Sequence, residues 1–248
     1  MVKSTCAACQ FSRANKVICS VMKASDRKAL SRRSCSLSLG KGEILSSERL
    51  SDWPVLAICG GAMAVQTWLS DGRRSLSQLF LQADLIELRR SPRPFTGELF
   101  ALRPTHLCAL HGRTLDEIRW TDRSVSQAYD AQIADQTHIL RDHCVNIGKK
   151  TPAERLASFL LELSGRAVDA ADELDGKGGK LDLPMSHAEI ADYLALQPET
   201  VSRVFARIAD EHLITRPARN TTSILDAPEL ARIAGGGRPR RRVVGGAE

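Results

Sequence analysis

The chain has 248 residues, 43% of them hydrophobic and 26% charged, as in ordinary water-soluble globular proteins, and no apolar run approaches the ~18 residues that span a bilayer. That length accommodates two domains, each with its own core. The formal net charge of +6 favours a polyanionic partner, and seven cysteines with no hydrophobic leader point to a reducing, cytoplasmic compartment where clustered thiols serve metal or redox chemistry.

Residues 1 to 35 hold Cys6, Cys9, Cys19 and Cys35 and show little periodicity before a short helical stretch over residues 23 to 33, so they read as an arm rather than a domain. Residues 36 to 120 read as a small antiparallel β-barrel or roll, because short apolar runs are separated by turn residues such as Gly40-Lys41-Gly42-Glu43, Gly60-Gly61 and Asp71-Gly72. Val65, Thr67 and Leu69, then Asp71-Gly72, then Leu76, have the alternation and two-residue turn of a hairpin. Over residues 121 to 148 a long helix places Ile133, Leu140 and Ile147 seven residues apart, with Tyr129 and Cys144 on neighbouring positions. It suits a parallel dimer seam lined by Tyr129, Ile133, Leu140 and Ile147, or equally an amphipathic helix packed on its own barrel. A further helix over residues 151 to 165 carries the apolar stripe Leu156, Phe159, Leu160 and Leu163, and residues 168 to 180 read as a polar surface connection. Residues 149 to 234 form the last domain, and residues 235 to 248, with Arg238, Arg240, Arg241 and Arg242, read as a basic extension.

Within that last domain, Ser186 and Glu189 have the spacing of a capping box, which starts a helix over residues 187 to 194. Ala195, Leu196 and Gln197 make a short connection, and Pro198 suits the first turn of a second helix because its missing N–H would have had no partner there. Two short helices joined by three residues are a helix-turn-helix. At 100° per residue, Val201, Val204, Phe205 and Ile208 face Ile190 and Leu194, while Glu199, Ser202, Arg203 and Ala206 face outward. Arg203 can donate twice to guanine, Glu199 can accept from cytosine N4 and Ser202 can reach a base or a phosphate, with Arg207 on the flank near the DNA backbone. The bland alternative is a solvated face with an i, i+4 pair between Glu199 and Arg203. Residues 212 to 215 and 223 to 225 flank a polar turn with Arg216, Arg219 and Asn220, which reads as the wing of a winged helix.

Through HAEIADYLALQPETVSRVFARIADEHLI and the preceding KKTPAERLASFLLELS, the chain resembles the cyclic-AMP receptor and Fnr-type regulators, in particular the Fnr and FixK-like branch. The resemblance implies an α+β fold of N-terminal arm, β-roll, dimerisation helix and C-terminal winged helix-turn-helix. It also implies a homodimeric transcription regulator that is no enzyme, binds double-stranded DNA with TTGAT-type half-sites and works with RNA polymerase away from membranes. In nucleotide-binding members a Gly-Glu-Leu segment and a later arginine pair hold the ligand. Here the matching segment is Ala83-Asp84-Leu85-Ile86 and the arginine pair is replaced by Phe95-Thr96, so no cyclic nucleotide is expected. The Fnr-type alternative implies a [4Fe–4S] cluster on Cys6, Cys9, Cys19 and Cys108, with soft thiolates suited to iron. The nine-residue gap before Cys19 is longer than the family's usual gap, and Cys35 is a candidate substitute. Three other readings stay open: a zinc site on the C-x2-C pair, a cluster-free FixK-like regulator controlled by abundance or cysteine oxidation, and an iron-sulfur electron carrier. Cys59 and Cys144, in apolar surroundings, read as buried thiols.

Overall fold

In the computed structural model the described residues are 2–3, 18–45, 55–88, 97–170, 180–216, 218 and 220–237. Strand β1 (Val2–Lys3) is followed by helices α1 (Ile18–Val21) and α2 (Ala24–Arg33), the latter matching the helical stretch read in the arm. Eight strands follow: β2 (Cys35–Leu39), β3 (Ile44–Leu45), β4 (Val55–Gly60), β5 (Ala62–Trp68), β6 (Arg74–Leu81), β7 (Leu85–Glu87), β8 (Glu98–Ala101) and β9 (Thr105–Leu110). They pair as a sheet of order β1-β2-β9-β4-β7 facing another of order β3-β8-β5-β6.

Strands β4, β5 and β9 read as continuous apolar runs because both of their faces are covered. Leu56 and Ile58 of β4, Met63 and Val65 of β5, and Leu107 and Ala109 of β9 fill the interior between the sheets. One residue along, Val55, Ala57, Cys108 and Leu110 point outward under the N-terminal helices, while Ala62 and Ala64 point outward under the C-terminal ones. Gly61 turns β4 into β5 at φ +99, and a Cβ there would stand 2.6 Å from the Pro104 carbonyl oxygen. The hairpin read around Asp71-Gly72 joins β5 to β6, with Gly72 at φ +84 and the Asp71 carboxylate accepting from the Arg73 amide at 3.1 Å.

A helix that the sequence reading merged into the roll, α3 (Gly112–Thr121), precedes the long helix α4 (Arg123–Lys149). Its N-cap is His111, whose side chain accepts from the Thr114 amide, a cap that carries no Ser, Thr, Asp or Asn signal. Asp122 ends α3 and caps α4 by accepting from the Ser124 amide at 3.0 Å. Val125, Tyr129, His143 and Asn146 turn the buried face of α4 toward its own protomer. Tyr129 is therefore a correction to the expected seam: it is 1% exposed, its hydroxyl donates to Glu87, and the Arg119 guanidinium lies 3.8 Å from its ring centre. Four residues at 100° each set Ile133 about 40° around the helix from Tyr129, which carries the stripe from the roll toward solvent. Ile133 and Ile147 are half-buried and Leu140 is 38% exposed.

Helix α5 (Pro152–Ala170), β10 (Lys180–Asp182), α6 (His187–Leu194), α7 (Pro198–Asp210), β11 (Thr221–Ser223) and α8 (Ala227–Ala234) complete the described chain. Their core does not stand apart as a second domain core. Leu156, Phe159, Ile190 and Phe205 join Ala62, Leu76, Leu79 and Phe100 of the roll in one continuous apolar cluster. No helix among the described residues is long and apolar enough to cross a membrane.

Candidate nucleic-acid interface and cysteine site

The helix-turn-helix forms as its sequence dictates. Both halves of the capping box are made: Ser186 accepts from the Glu189 amide at 3.3 Å and the Glu189 carboxylate accepts from the Ser186 amide at 2.7 Å. Ala195 ends α6 in the left-handed region at φ 52, which reverses the chain toward Pro198 at the start of α7. Arg155 of α5 secures that turn from behind, its Nη1 donating to the carbonyls of Leu194 at 2.9 Å and Ala195 at 3.1 Å. Val201, Val204, Phe205 and Ile208 are buried, and Glu199, Ser202, Arg203, Ala206 and Arg207 are exposed on the opposite side.

The exposed side chains are lightly tethered. Arg203 Nη2 donates to Thr200 Oγ1 at 3.3 Å, Ser202 Oγ lies 3.2 Å from His187 Nδ1, and Arg207 pairs with Glu211 at 3.4 Å. No pair between Glu199 and Arg203 occurs among the described ion pairs, so the solvated-pair alternative has no support in the geometry. The wing is present as Thr215 donating its amide to the Ser223 carbonyl at 2.9 Å beside the Ile214–Ile224 bridge, with Asn220 at φ 62 in the turn. Strand β10, within a stretch partly read as connection, pairs with β11 and gives the wing a further strand. Arg219 and Arg238 to Arg242 lie outside the described residues.

Among the described residues, Cys108 and Cys35 lie on opposite faces of one sheet. Cys108 on β9 and Cys19 on α1 are 6% and 8% exposed and share one apolar cluster with Val125 and Tyr129 of α4 and Leu85 of β7. Cys59 of β4 packs at the edge of the same cluster, half-buried. Cys35 does not join them. It sits opposite Ala109 in the β2–β9 register, one step from Cys108, and strand alternation turns it into the roll interior. Cys35 and Cys108 therefore face opposite sides of the sheet, and this register gives no support to Cys35 as a substitute ligand beside Cys108. Burial also pushes the Cys35 thiol above its ordinary pKa. Cys144, read as buried, is exposed on α4. Cys6 and Cys9 lie outside the described residues, as do Phe95 and Thr96, and no three His, Cys, Asp or Glu side chains converge into a metal group among the described ones.

Residues 154–233 match the Crp-like helix-turn-helix domain. Along most of its length the chain is 30% identical to the transcriptional activator FnrA of Stutzerimonas stutzeri, over 205 residues covering 80% of each protein. The chain belongs to the Crp/Fnr superfamily, on its Fnr/FixK branch. Its similarity to the FixK nitrogen-fixation regulation protein of Bradyrhizobium diazoefficiens is 27% over 222 residues, 88% of this chain and 89% of that one. The structure of FixK2 from Bradyrhizobium japonicum superposes with a TM-score of 0.67 at 27% identity, covering 80% of this chain and 96% of that one. The protein is therefore a DNA-binding transcription regulator rather than an enzyme.

In this Crp/Fnr regulator, residues 83–87 are gripped from two helices that the sequence reading did not connect to them. From α4, Gln132 Nε2 donates to the Ala83 carbonyl at 2.8 Å and Gln136 donates to the Leu85 carbonyl. From α5, Arg166 bonds Asp84 and pairs with Glu162 at 3.1 Å, while Asp84 also accepts from the Leu81 amide at 2.7 Å. Burial raises the Asp84 and Glu162 carboxyls above the ordinary range even with Arg166 beside them. Where α4 passes the helix-turn-helix, His143 stacks on Tyr193 with ring centres 4.1 Å apart, and burial lowers its pKa from 6.5 to about 4. The unfolded chain takes up a proton there that the folded chain refuses, so His143 is expected to erode stability as pH falls from about 6.5 to about 4 and to leave it unchanged above that window. Urea midpoints across pH check this: the difference between the parent and His143→Phe should grow in the variant's favour toward pH 4.

Proposed function

We propose that this protein is an oxygen-responsive regulator that binds DNA as a homodimer through Fnr-type palindromic sites. Ile133, Leu140 and Ile147 on α4 supply the seam, and dyad-related copies of α7 meet the major groove about one duplex turn, roughly 34 Å, apart. Arg203 donates to guanine O6 and N7, Glu199 accepts from cytosine N4, Ser202 completes a TTGAT-type half-site, and Arg207 meets a phosphate. RNA polymerase is the protein partner at the promoter. Support for the reading head comes from the segregation of α7, whose apolar face is buried while those four side chains stand in solvent.

The sensor reading rests on one placement: Cys19 and Cys108, far apart in sequence, lie in one apolar cluster with the first turns of the dimer helix. Both fit as ligands of a [4Fe–4S] cluster whose remaining thiolates are Cys6 and Cys9. When bound, such a cluster would supply an oxygen-labile iron–sulfide core held by these thiolates. The chain's own residues transmit the state of that site. Cys108 is fixed on β9 between β2 and β4, whereas Cys19 rides on α1, whose Ile18 amide donates to Gln132 Oε1 on α4 at 3.4 Å. A shift of α1 is thus felt by the dimer helix through Gln132 and by residue 83 through the other end of the same amide. A cyclic nucleotide is no part of this reading, because Phe95-Thr96 stands where nucleotide-binding members carry an arginine pair.

Purification without oxygen is expected to give a brown protein with equal iron and acid-labile sulfide that bleaches in air and then releases DNA. Cys108→Ser should lose colour and oxygen response, and Cys35→Ser should keep both. A colourless, iron-free anaerobic protein that still binds its site would overturn the sensor and leave a cluster-free regulator.

A further inference from the structure

The last domain is fastened to the roll at three points. Among the described residues three ion pairs cross between them: Arg74 of β6 with Asp192 of α6, Arg103 after β8 with Asp182 of β10, and Asp84 after β6 with Arg166 of α5. In the first, Arg74 Nε and Nη2 both donate to Asp192 Oδ2, at 2.8 and 2.7 Å, and the guanidinium carbon lies 5.5 Å from the centre of the Phe100 ring. The two side chains are 23% and 29% exposed, and α6 packs on β6 around them. Leu76 and Phe100 of the roll share an apolar cluster with Ile190 and Leu194 of α6. A planar fork held against an aromatic face fixes direction as well as distance, which a lysine ammonium would not.

Asp192 rides on the first helix of the helix-turn-helix, and the Ala195 turn carries the direction of that helix into α7. The dimer helix is seated on the same roll, through Gln132 on the Ala83 carbonyl and Tyr129 on Glu87. Helices α4 and α5 are not one rod, because Lys150 between them is extended at φ −86 and ψ 150. The axis of α4 therefore does not aim the domain by itself, and the roll is the common base for both. We propose that Arg74 and Asp192 are positioning residues that set the separation of half-sites the dimer accepts, by fixing α6 against β6. The inference rests on the reading of a homodimer that binds palindromic sites through α7. One base pair added between half-sites shifts one of them by about 3.4 Å and turns it by about 34–36°, so a fixed pair of reading heads fits one spacing.

The test uses the full-length protein, prepared without oxygen, and palindromic duplexes with identical half-sites whose centres are lengthened or shortened by one base pair. The parent should bind its preferred spacing about 5- to 150-fold more tightly than either neighbour, the size of one mismatched base pair. Arg74→Ala and Asp192→Ala should each narrow that ratio at least about threefold, within the reach of one partly buried charge-assisted pair, and leave base preference inside the half-site unchanged. The double variant should relax it no further than either single one, because the two residues act as a pair. Arg73→Ala removes the same charge one residue away, from an exposed pair with Asp71, and should keep the parent's ratio. A cooperative urea transition identifies the folded variants, and Arg74→Gln stands in for Arg74→Ala if that one lacks it. A parent indifferent to spacing, unchanged ratios in the single variants, additive relaxation in the double one, or an equal effect of Arg73→Ala would overturn the proposal. If the parent does not discriminate the palindrome from a scrambled duplex, the recognition-helix reading itself fails and this inference falls with it.

Discussion

Replacing Arg166 by leucine is expected to cost about 3–5 kcal/mol of stability at pH 7.5, because it leaves two carboxylates buried without their cation. Asp84 and Glu162 both bond Arg166, and all three side chains are at most 21% exposed. Burial already raises both carboxyls, so without the guanidinium their folded pKa values rise further above the unfolded ones. Such groups contribute full stability below the unfolded pKa and lose it as pH rises through the folded one. The loss in Arg166→Leu should accordingly be smaller at pH 5 than at pH 7.5. Adding Asp84→Asn, which can still accept from the Leu81 amide, should recover part of it. Urea unfolding of the three proteins at both pH values is the measurement, and a pH-independent loss would mean that packing rather than charge holds α5 to residues 79–84. The consequence for function is direct, since this triad ties the helix that secures the reading head to the segment bonded by the dimer helix.

Arg203→Ala should weaken binding to the palindromic site by about 1–3 kcal/mol, roughly 5- to 150-fold, and relax preference at one base pair of each half-site. Arg203 stands exposed, and among the described residues Thr200 Oγ1 holds one of its terminal nitrogens, which leaves its other donors for a guanine edge. Lysine at this position should rescue little, because a point charge cannot supply the paired donors. Arg207→Ala should instead weaken all sequences alike and flatten the salt slope by about 1. Competition with duplexes altered one base pair at a time separates the two. A uniform loss in Arg203→Ala would assign that residue to the backbone.

The reading head was legible because its determinants are local. The capping box spans four residues, the turn three, and the faces of α7 follow from a 100° step, so Ser186, Glu189, Pro198 and the segregated face at 199–208 are found where their spacing puts them. Helix α3 was missed because its cap is a histidine, and the strand β10 because its pairing partner, β11, lies some forty residues away in a turn-rich stretch. The apolar stripe on α4 was half legible: a seven-residue spacing marks an apolar line, but which part of the line the protomer itself covers depends on Glu87 and Arg119, which meet Tyr129 only in the fold.

By itself the sequence determined the order of modules, the helix-turn-helix and the residues exposed on its outer face, because these depend on contacts a few residues long. The tertiary structure decided which of the described cysteines share an apolar cluster. Strand side chains alternate every residue, so whether Cys35 or Cys108 faces α1 depends on the register of β2 against β9, set by pairing across some seventy residues. That register turns Cys35 into the roll and sets Cys108 in the same apolar cluster as Cys19, Val125 and Tyr129.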